Sequence, residues 1–305
     1  MSHLFGGDWT EAKLDIVSRY AKAFQTALKF RPFESWYIDP FAGSGEREEK
    51  RFSGGLLDGQ PIEEKIHTFA GSAKLALEIE PHFSHYRFAD TKAEHVQALR
   101  QLAAEHAGRD IQIFPGDGNE CVRRIVSNRL WTGSQTSWKQ RGIVFLDPYG
   151  MKVAWDTLRV IAQTKRLDVW FLFAAKAVRQ QLGPRLDRVD QGKAEALDRF
   201  FGETTWRDAF FKPIAGQTDF LGTETDRSET AANLQTIGAY AKKRFETIFC
   251  WVSSPKPLTV RNVPDYFQLY CMTNNDSGKA LELIKKLHAA VVKAQNQASR
   301  HTFDR

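Results

Sequence analysis

The sequence predicts an α/β fold: a mostly parallel seven-stranded sheet with helices on both faces, carrying a helical insertion. Three observations predict it. Short apolar runs alternate with amphipathic helical stretches through the first 173 residues, the rhythm of parallel strands joined by crossover helices. Four of those runs close on an aspartate, at Asp39, Asp90, Asp117 and Asp147. A charged, helix-prone stretch over 175–246 then interrupts the rhythm before strand signals return.

The elements follow in order. Asp8 and Glu11 have capping-box spacing, and Leu14, Val17, Ala21, Phe24 and Leu28 recur at helical intervals until Pro32 closes the helix. Residues 36–38 read as a buried strand, followed by the turn Gly43-Ser44-Gly45. The polar stretch 46–71 is too long for a simple connection and reads as disordered or as a functional loop. Ala73, Leu75, Ala76 and Ile79 supply a delayed helix that stops before Pro81.

Residues 86–89 form the second strand; Thr91 and Glu94 are expected to cap a helix that buries Val96, Leu99 and Leu102. A third strand at 111–114 leads to a helix with Cys121, Val122, Ile125 and Val126 inward. A fourth at 143–146 precedes a helix marked by Trp155, Leu158 and Ile161, and a fifth covers 169–173. Strands at 247–252 and 266–273 and a helix at 279–292 complete the reading. The expected organisation is a core over 1–174, an insertion or substrate lid over 175–246, and a closing segment over 247–305.

Composition narrows the class. With 42% hydrophobic and 26% charged residues in 305, the chain is that of a globular protein. No apolar run reaches the roughly 20 residues a bilayer needs, and the first eight residues lack a signal peptide's pattern, so a cytoplasmic address is expected. Cys121, Cys250 and Cys271 form no Cys-x-x-Cys pair, and His82 and His85 have no thiols nearby; no metal site is expected. The formal charge of +6 is compatible with a polyanionic partner, as it is in many proteins that have none.

The aspartates carry the chemistry. Ligands of open parallel sheets bind beyond the carboxyl ends of the strands, and these four acids fall there. In Asp39-Pro40-Phe41-Ala42-Gly43-Ser44-Gly45 two glycines permit a tight turn and a close ligand. Asp90 is placed for ribose hydroxyls, and Asp117 for an adenine amino group. A diphosphate cofactor favours Gly-x-Gly-x-x-Gly running directly into a helix. Here the third glycine is missing, the helix is delayed, and Glu46, Glu48 and Glu49 follow. That loop suits a cationic sulfonium with an amino-acid tail, so S-adenosylmethionine is the expected cofactor of a Rossmann-like core. Helix capping is the competing explanation for any single acid.

Residues 39–45 resemble motif I of DNA and RNA amino-methyltransferases, and Asp147-Pro148-Tyr149-Gly150 resembles a variant of their motif IV. The whole chain resembles the three-Cys-motif partner family of bacteria and phages. The likeness runs through Trp9-Thr10, residues 37–45, Ala76-Leu77-Glu78-Ile79-Glu80, residues 144–150, Arg199-Phe200-Phe201-Gly202 and the strand over 266–274. The resemblance implies a class I methyltransferase fold and a partner whose three cysteines resemble those of a radical S-adenosylmethionine enzyme. It also implies that Asp147 and the Pro148 carbonyl accept a target amine's hydrogens, and that an aromatic ring stacks on the base. The family pattern is acid-Pro-Pro-aromatic, so Tyr149 stands one place early.

Expected cofactor contacts are Asp39, Phe41, Gly43, Gly45, Asp90 and Asp117; expected catalytic residues are Asp147, Pro148 and Tyr149. Trp138 and Lys139, with Trp131 and Arg141, interleave rings and cations as nucleic-acid surfaces do, or else form a packed surface loop. Lys176 and Arg179 either grip a nucleic-acid backbone or form a solvated helical face. Three functions remain open: a nucleic-acid methyltransferase, a catalytically silent cofactor-binding subunit of the three-cysteine protein, and a methyltransferase for protein or small molecules.

Overall fold

The computed structural model describes residues 8–55, 60–133, 135–213 and 228–303. Helix α1 (Asp8–Leu28) precedes β1 (Glu34–Asp39), the hairpin β2 (Glu46–Gly55) and β3 (Gln60–Ala70), and α2 (Ser72–Leu77). Then come β4 (His85–Asp90), α3 (Ala93–Ala104), β5 (Asp110–Pro115), α4 (Gly118–Val126), the single turn α5 (Arg129–Thr132) and β6 (Gln140–Leu146). Next are α6 (Trp155–Thr164), β7 (Leu167–Phe173), α7 (Ala175–Gln181), α8 (Gln191–Phe201) and α9 (Trp206–Phe210). The chain closes with β8 (Phe211–Pro213), β9 (Ser228–Thr230), α10 (Leu234–Phe245), β10 (Trp251–Val252), β11 (Lys256–Val260), β12 (Val263–Thr273) and α11 (Gly278–Phe303). The fold is mixed α/β with a mostly parallel multi-strand central sheet.

Contacts divide the chain into two units. The first holds Met1–Cys121, Trp138–Phe145 and Glu282–Arg305; the second holds Val122–Ser137 and Leu146–Leu281. In the first, four parallel strands run in the order β6-β1-β4-β5, with Ile38 opposite Val144, Asp39 opposite Phe88 and Asp90 opposite Pro115. Trp36, Tyr37 and Ile38 are all buried, as expected where both faces of a parallel sheet are covered. The indole nitrogen that this buries is satisfied, since Trp36 Nε1 donates to Gln140 Oε1 at 2.5 Å.

In the second unit β12 pairs antiparallel with β7, β10 and β11. Every residue of β7 is buried, and Phe171 and Phe173 meet Phe200 and Phe245 in a ring cluster. Each such phenylalanine contributes roughly 1.5–3 kcal/mol by leaving water. Tyr270 joins the cluster and donates its hydroxyl to Gly238 O at 3.0 Å. Burial raises its pKa well above the phenol range, so the hydroxyl stays a donor.

Several expected elements differ. The stretch read as disordered or as a functional loop over 46–71 is mostly the antiparallel β2–β3 hairpin. A backbone ladder needs no apolar periodicity, and polar composition hid it. The strand expected at 247–252 shrinks to Trp251–Val252, because the amides of Thr247, Ile248 and Phe249 donate back into the end of α10. Short strands β8 and β9 pair within a stretch read as helical, and β11 was not foreseen. Thr91 does not cap α3; Lys92 holds that position with no side-chain cap, and Asp90 Oδ1 accepts the Lys92 amide at 2.8 Å. Asp8 is the first helical residue of α1, and its side chain lies outside the described residues. Among the described residues no helix is long and apolar enough to cross a membrane.

Candidate functional site

The first unit builds its candidate site from three loops that leave the carboxyl ends of β1, β4 and β5. Asp39, the last residue of β1, is fully buried. Its Oδ1 accepts the Phe41 amide at 3.2 Å and its Oδ2 accepts the Ser72 hydroxyl at 2.5 Å. Asp39 therefore braces the turn from inside and links it to the start of α2. The turn needs two left-handed residues, and glycines supply them: φ is +64° at Gly43 and +80° at Gly45. Gly71 N donates to Gly45 O at 2.8 Å, so the β2–β3 hairpin leaves and returns at one point.

Asp90 is the hub. Its Oδ2 accepts the Gly43 amide at 3.2 Å, its Oδ1 accepts the Lys92 amide, and its main-chain carbonyl accepts Gly116 N at 2.9 Å. One residue earlier, Ala89 O accepts the Ala42 amide at 3.0 Å. The loops after β1 and β5 are thus both tied to the end of β4. His95 Nδ1 stands 3.1 Å from Asp90 Oδ1, at ion-pair distance but without hydrogen-bond geometry.

Asp117 follows β5 and starts α4: its Oδ1 accepts the amides of Asn119 at 2.9 Å and Glu120 at 3.2 Å. The capping role weighed for these acids is therefore real at Asp117, and its exposed carboxylate keeps lone pairs for a ligand. Gly118 was missed by sequence reasoning. A Cβ there would lie 2.3 Å from Pro40 O and 2.8 Å from the Phe41 ring, so only glycine lets this loop meet the β1 turn. The Gly116-Asp117-Gly118 run at a strand end was the available signal. At Gly43 and Gly116, by contrast, an added Cβ would meet nothing within 4 Å. Open space beside two braced turns, rimmed by carboxylate oxygens, fits an adenosyl group with its ribose hydroxyls and a cationic sulfonium.

The remaining expected residues take no part in these contacts. Trp138 and Lys139 precede β6, at the amino edge of the parallel strands, whereas Asp39, Asp90 and Asp117 stand at the carboxyl edge. With seven residues in β6 and about 3.3 Å per residue, the two edges are roughly 20 Å apart. Trp138 is 44% exposed, Lys139 Nζ sits 5.5 Å from its ring, and Arg141 caps the Phe33 ring at 4.4 Å. Trp131, in the second unit, is buried.

Also in the second unit, Asp147 follows Leu146 directly and is half-buried, Pro148 is buried, and Tyr149 is 69% exposed ahead of Gly150 at φ +68°. Lys176 and Arg179 lie on α7, where Arg179 Nη1 donates to Leu182 O at 3.0 Å and closes its own helix.

No family model matches the chain, and no curated protein matches it. Among solved structures the similarity is low. Protein LPL1258 of Legionella pneumophila, from a family designated DUF519, is 11% identical, with 79% of this chain and 91% of that one covered and a TM-score of 0.40. A methyltransferase candidate from Escherichia coli, yhhF, is 11% identical over 84% and 86% at TM-score 0.33. A methyltransferase candidate from Thermobifida fusca is 10% identical over 87% and 80% at 0.37.

Proposed function

We propose that the protein is an S-adenosylmethionine-dependent methyltransferase that modifies an exocyclic amino nitrogen of a nucleic-acid base. The observation that carries this reading is the Asp90 hub: one residue fixes the β1 turn, the β5 loop and the start of α3 beside open space.

When bound, the cofactor supplies an activated methyl group on sulfur, so the protein's task is alignment more than bond polarisation. Asp90 offers remaining lone pairs to ribose hydroxyls, and Asp117 offers them to an adenine amino group. Gly43 and Gly45 set the turn, and Phe41 and Gly118 lock its outer side. Asp39 acts through Ser72 and the Phe41 amide and touches no ligand. Asp147 and the Pro148 carbonyl are assigned the acceptor amine's hydrogens, which orients the nitrogen lone pair; Tyr149 is assigned the base face.

Trp138 and Lys139 then serve as a remote anchor for a nucleic-acid strand, since a base stacked there stands a strand length from the β1 turn. Lys176 and, with less reach, Arg179 are assigned to the backbone.

Calorimetry with S-adenosylhomocysteine tests the cofactor: binding is expected in the wild type and at least tenfold weaker in Asp90→Ala, whereas no wild-type binding sinks the proposal. Labelled methyl transfer to DNA or RNA, abolished in Asp147→Asn with cofactor binding intact, tests the acceptor. The radical S-adenosylmethionine-like partner belongs to this proposal too. Cofactor binding without turnover, with or without that partner, would replace catalysis by a docking role.

A further inference from the structure

The amino edge of the parallel strands in the first unit carries a second surface. Among the described residues, Phe30, Trp138, Tyr149 and Leu283 are the large apolar side chains left exposed, and the first two stand at this edge. Phe30 is 89% exposed, at the apex of a turn that Arg31 N closes by donating to Leu28 O at 2.8 Å. An exposed phenyl forgoes roughly 1.5–3 kcal/mol of burial, so this ring contributes little to folding.

The loops that carry Phe30 and Trp138 meet. β1 and β6 are neighbours, with Glu34 opposite Gln140 and Ser35 opposite Arg141. Arg141 joins the two loops: its guanidinium lies 4.4 Å from the Phe33 ring centre, and its Nη1 donates to Trp138 O at 2.9 Å. Phe30 is three residues from Phe33. With paired strands about 4.8 Å apart, Phe30 and Trp138 lie within about 20 Å of each other, a span that a few nucleotides of single strand cover.

The cations of this edge face rings, not carboxylates. Lys29 Nζ lies 5.4 Å from the Phe30 ring centre, and Lys139 Nζ lies 5.5 Å from that of Trp138. Lys29, Arg31 and Lys139 form no ion pair among the described residues. The acids of the edge are engaged with other groups. Glu34 accepts Gln140 Nε2 at 3.2 Å, Asp110 accepts Arg87 Nη2 at 2.9 Å, and His85 stands between them, 3.4 Å from the first and 2.5 Å from the second. Positive charge therefore remains beside two exposed rings, the pairing of cation and stacking surface on which single strands bind. A bilayer would instead favour an amphipathic helix with a continuous apolar face, whereas these rings stand on a turn and a three-residue 3₁₀ segment.

We infer that this edge docks single-stranded nucleic acid, with Phe30 and Trp138 stacking on bases and Lys29, Arg31 and Lys139 meeting phosphates. The inference rests on the nucleic-acid reading proposed above and deepens it, adding a second ring and a second loop to Trp138 and Lys139. It makes no use of the cofactor site.

The test is fluorescence anisotropy of the full chain with labelled oligo(dT) and oligo(U), at low salt and without cofactor, in wild type, Phe30→Ala, Phe30→Tyr, Trp138→Ala and Arg31→Ala. Phe30, Arg31 and Trp138 are exposed, so the variants should melt with the wild type, and a melting curve verifies this. The wild type is expected to bind at least one oligonucleotide. Phe30→Ala and Trp138→Ala should each weaken binding at least fivefold, about 1 kcal/mol. Phe30→Tyr keeps the ring and should bind as the wild type does. Arg31→Ala should weaken binding and lower the slope of log affinity against log salt by about 0.7.

Wild type that binds neither oligonucleotide overturns the inference, as does binding that both alanine variants of the rings leave unchanged. Phosphatidylserine vesicles are titrated in parallel. If the wild type binds them, Phe30→Ala abolishes that binding and oligonucleotide binding is untouched, the edge belongs to a membrane surface and the inference falls. Oligonucleotide binding that survives every edge variant sinks this surface and leaves nucleic-acid methylation standing. Failure of S-adenosylhomocysteine binding or of methyl transfer leaves the surface standing, so the two proposals fail separately.

Discussion

The β1 turn of the first unit and the α8 cleft of the second both depend on carboxylates, but they use them differently. In the turn, Asp39, Asp90 and Asp117 accept mainly backbone amides, from Phe41, Gly43, Lys92, Asn119 and Glu120. In the cleft, Asp198 and Glu203 accept arginine, tryptophan and tyrosine side chains. An amide donates once and carries no net charge, so the turn keeps both negative charge and spare lone pairs. An arginine cancels the charge it meets, so Asp198 and Glu203 are neutralised where they stand. The carboxylates of the first region therefore keep acceptor capacity that those of the second have given to side chains.

The largest expected effects come from the two glycines that permit close approach. Gly118→Ala would press a methyl onto the Pro40 carbonyl, and Gly202→Ala would press one onto the Trp155 ring. Each should cost about 3 kcal/mol, as overpacking does at its upper end. Thermal melting measures both. The comparison holds if Gly118→Ala also abolishes S-adenosylhomocysteine binding while Gly202→Ala, at a temperature where it stays folded, does not.

Asp90→Ala comes next. It removes the acceptor for two amides, and S-adenosylhomocysteine should bind about 30-fold more weakly, roughly 2 kcal/mol. An unchanged affinity would show that the hub is structural only. Gly43→Ala should be milder. The added methyl meets nothing, so only the left-handed backbone opposes it, at about 1 kcal/mol in melting stability.

The smallest effect concerns pH and the cleft. The Arg207 guanidinium bonded to Asp198, helped by Trp206, holds that carboxyl below its ordinary value against partial burial. A folded-state pKa below the unfolded one contributes stability above the unfolded value, near 3.8, that is lost as pH falls through the folded value. The melting temperature of Asp198→Asn should therefore fall less steeply than that of wild type between about pH 5 and 3. Parallel curves would show that the pair contributes nothing to acid stability.

Legibility followed the physics of each element. β7 was readable because a strand covered on both faces is a continuous apolar run, 169–173 within Leu167–Phe173. The strand-end aspartates were readable because a polar residue terminating such a run is conspicuous, and Asp39 and Asp90 close β1 and β4 as expected. The β2–β3 hairpin was not readable, since its ladder is made of backbone groups that every residue carries alike. The site was legible as a set of positions but not as a set of roles. Asp39 and Asp90 read alike in sequence, yet one is fully buried under the turn and the other borders the open space.

By itself the sequence determined the alternation of the parallel strands with their helices, most core-facing residues and the strand ends at which Asp39 and Asp90 stand, because periodicity and strand termini are local properties of the chain. Only the tertiary structure decided which hydrogen bonds each acid makes and why Gly118 and Gly202 admit no side chain. Those facts depend on distances between residues far apart in sequence, such as Gly43 and Asp90, or Glu203 and Arg244, and no local pattern encodes them.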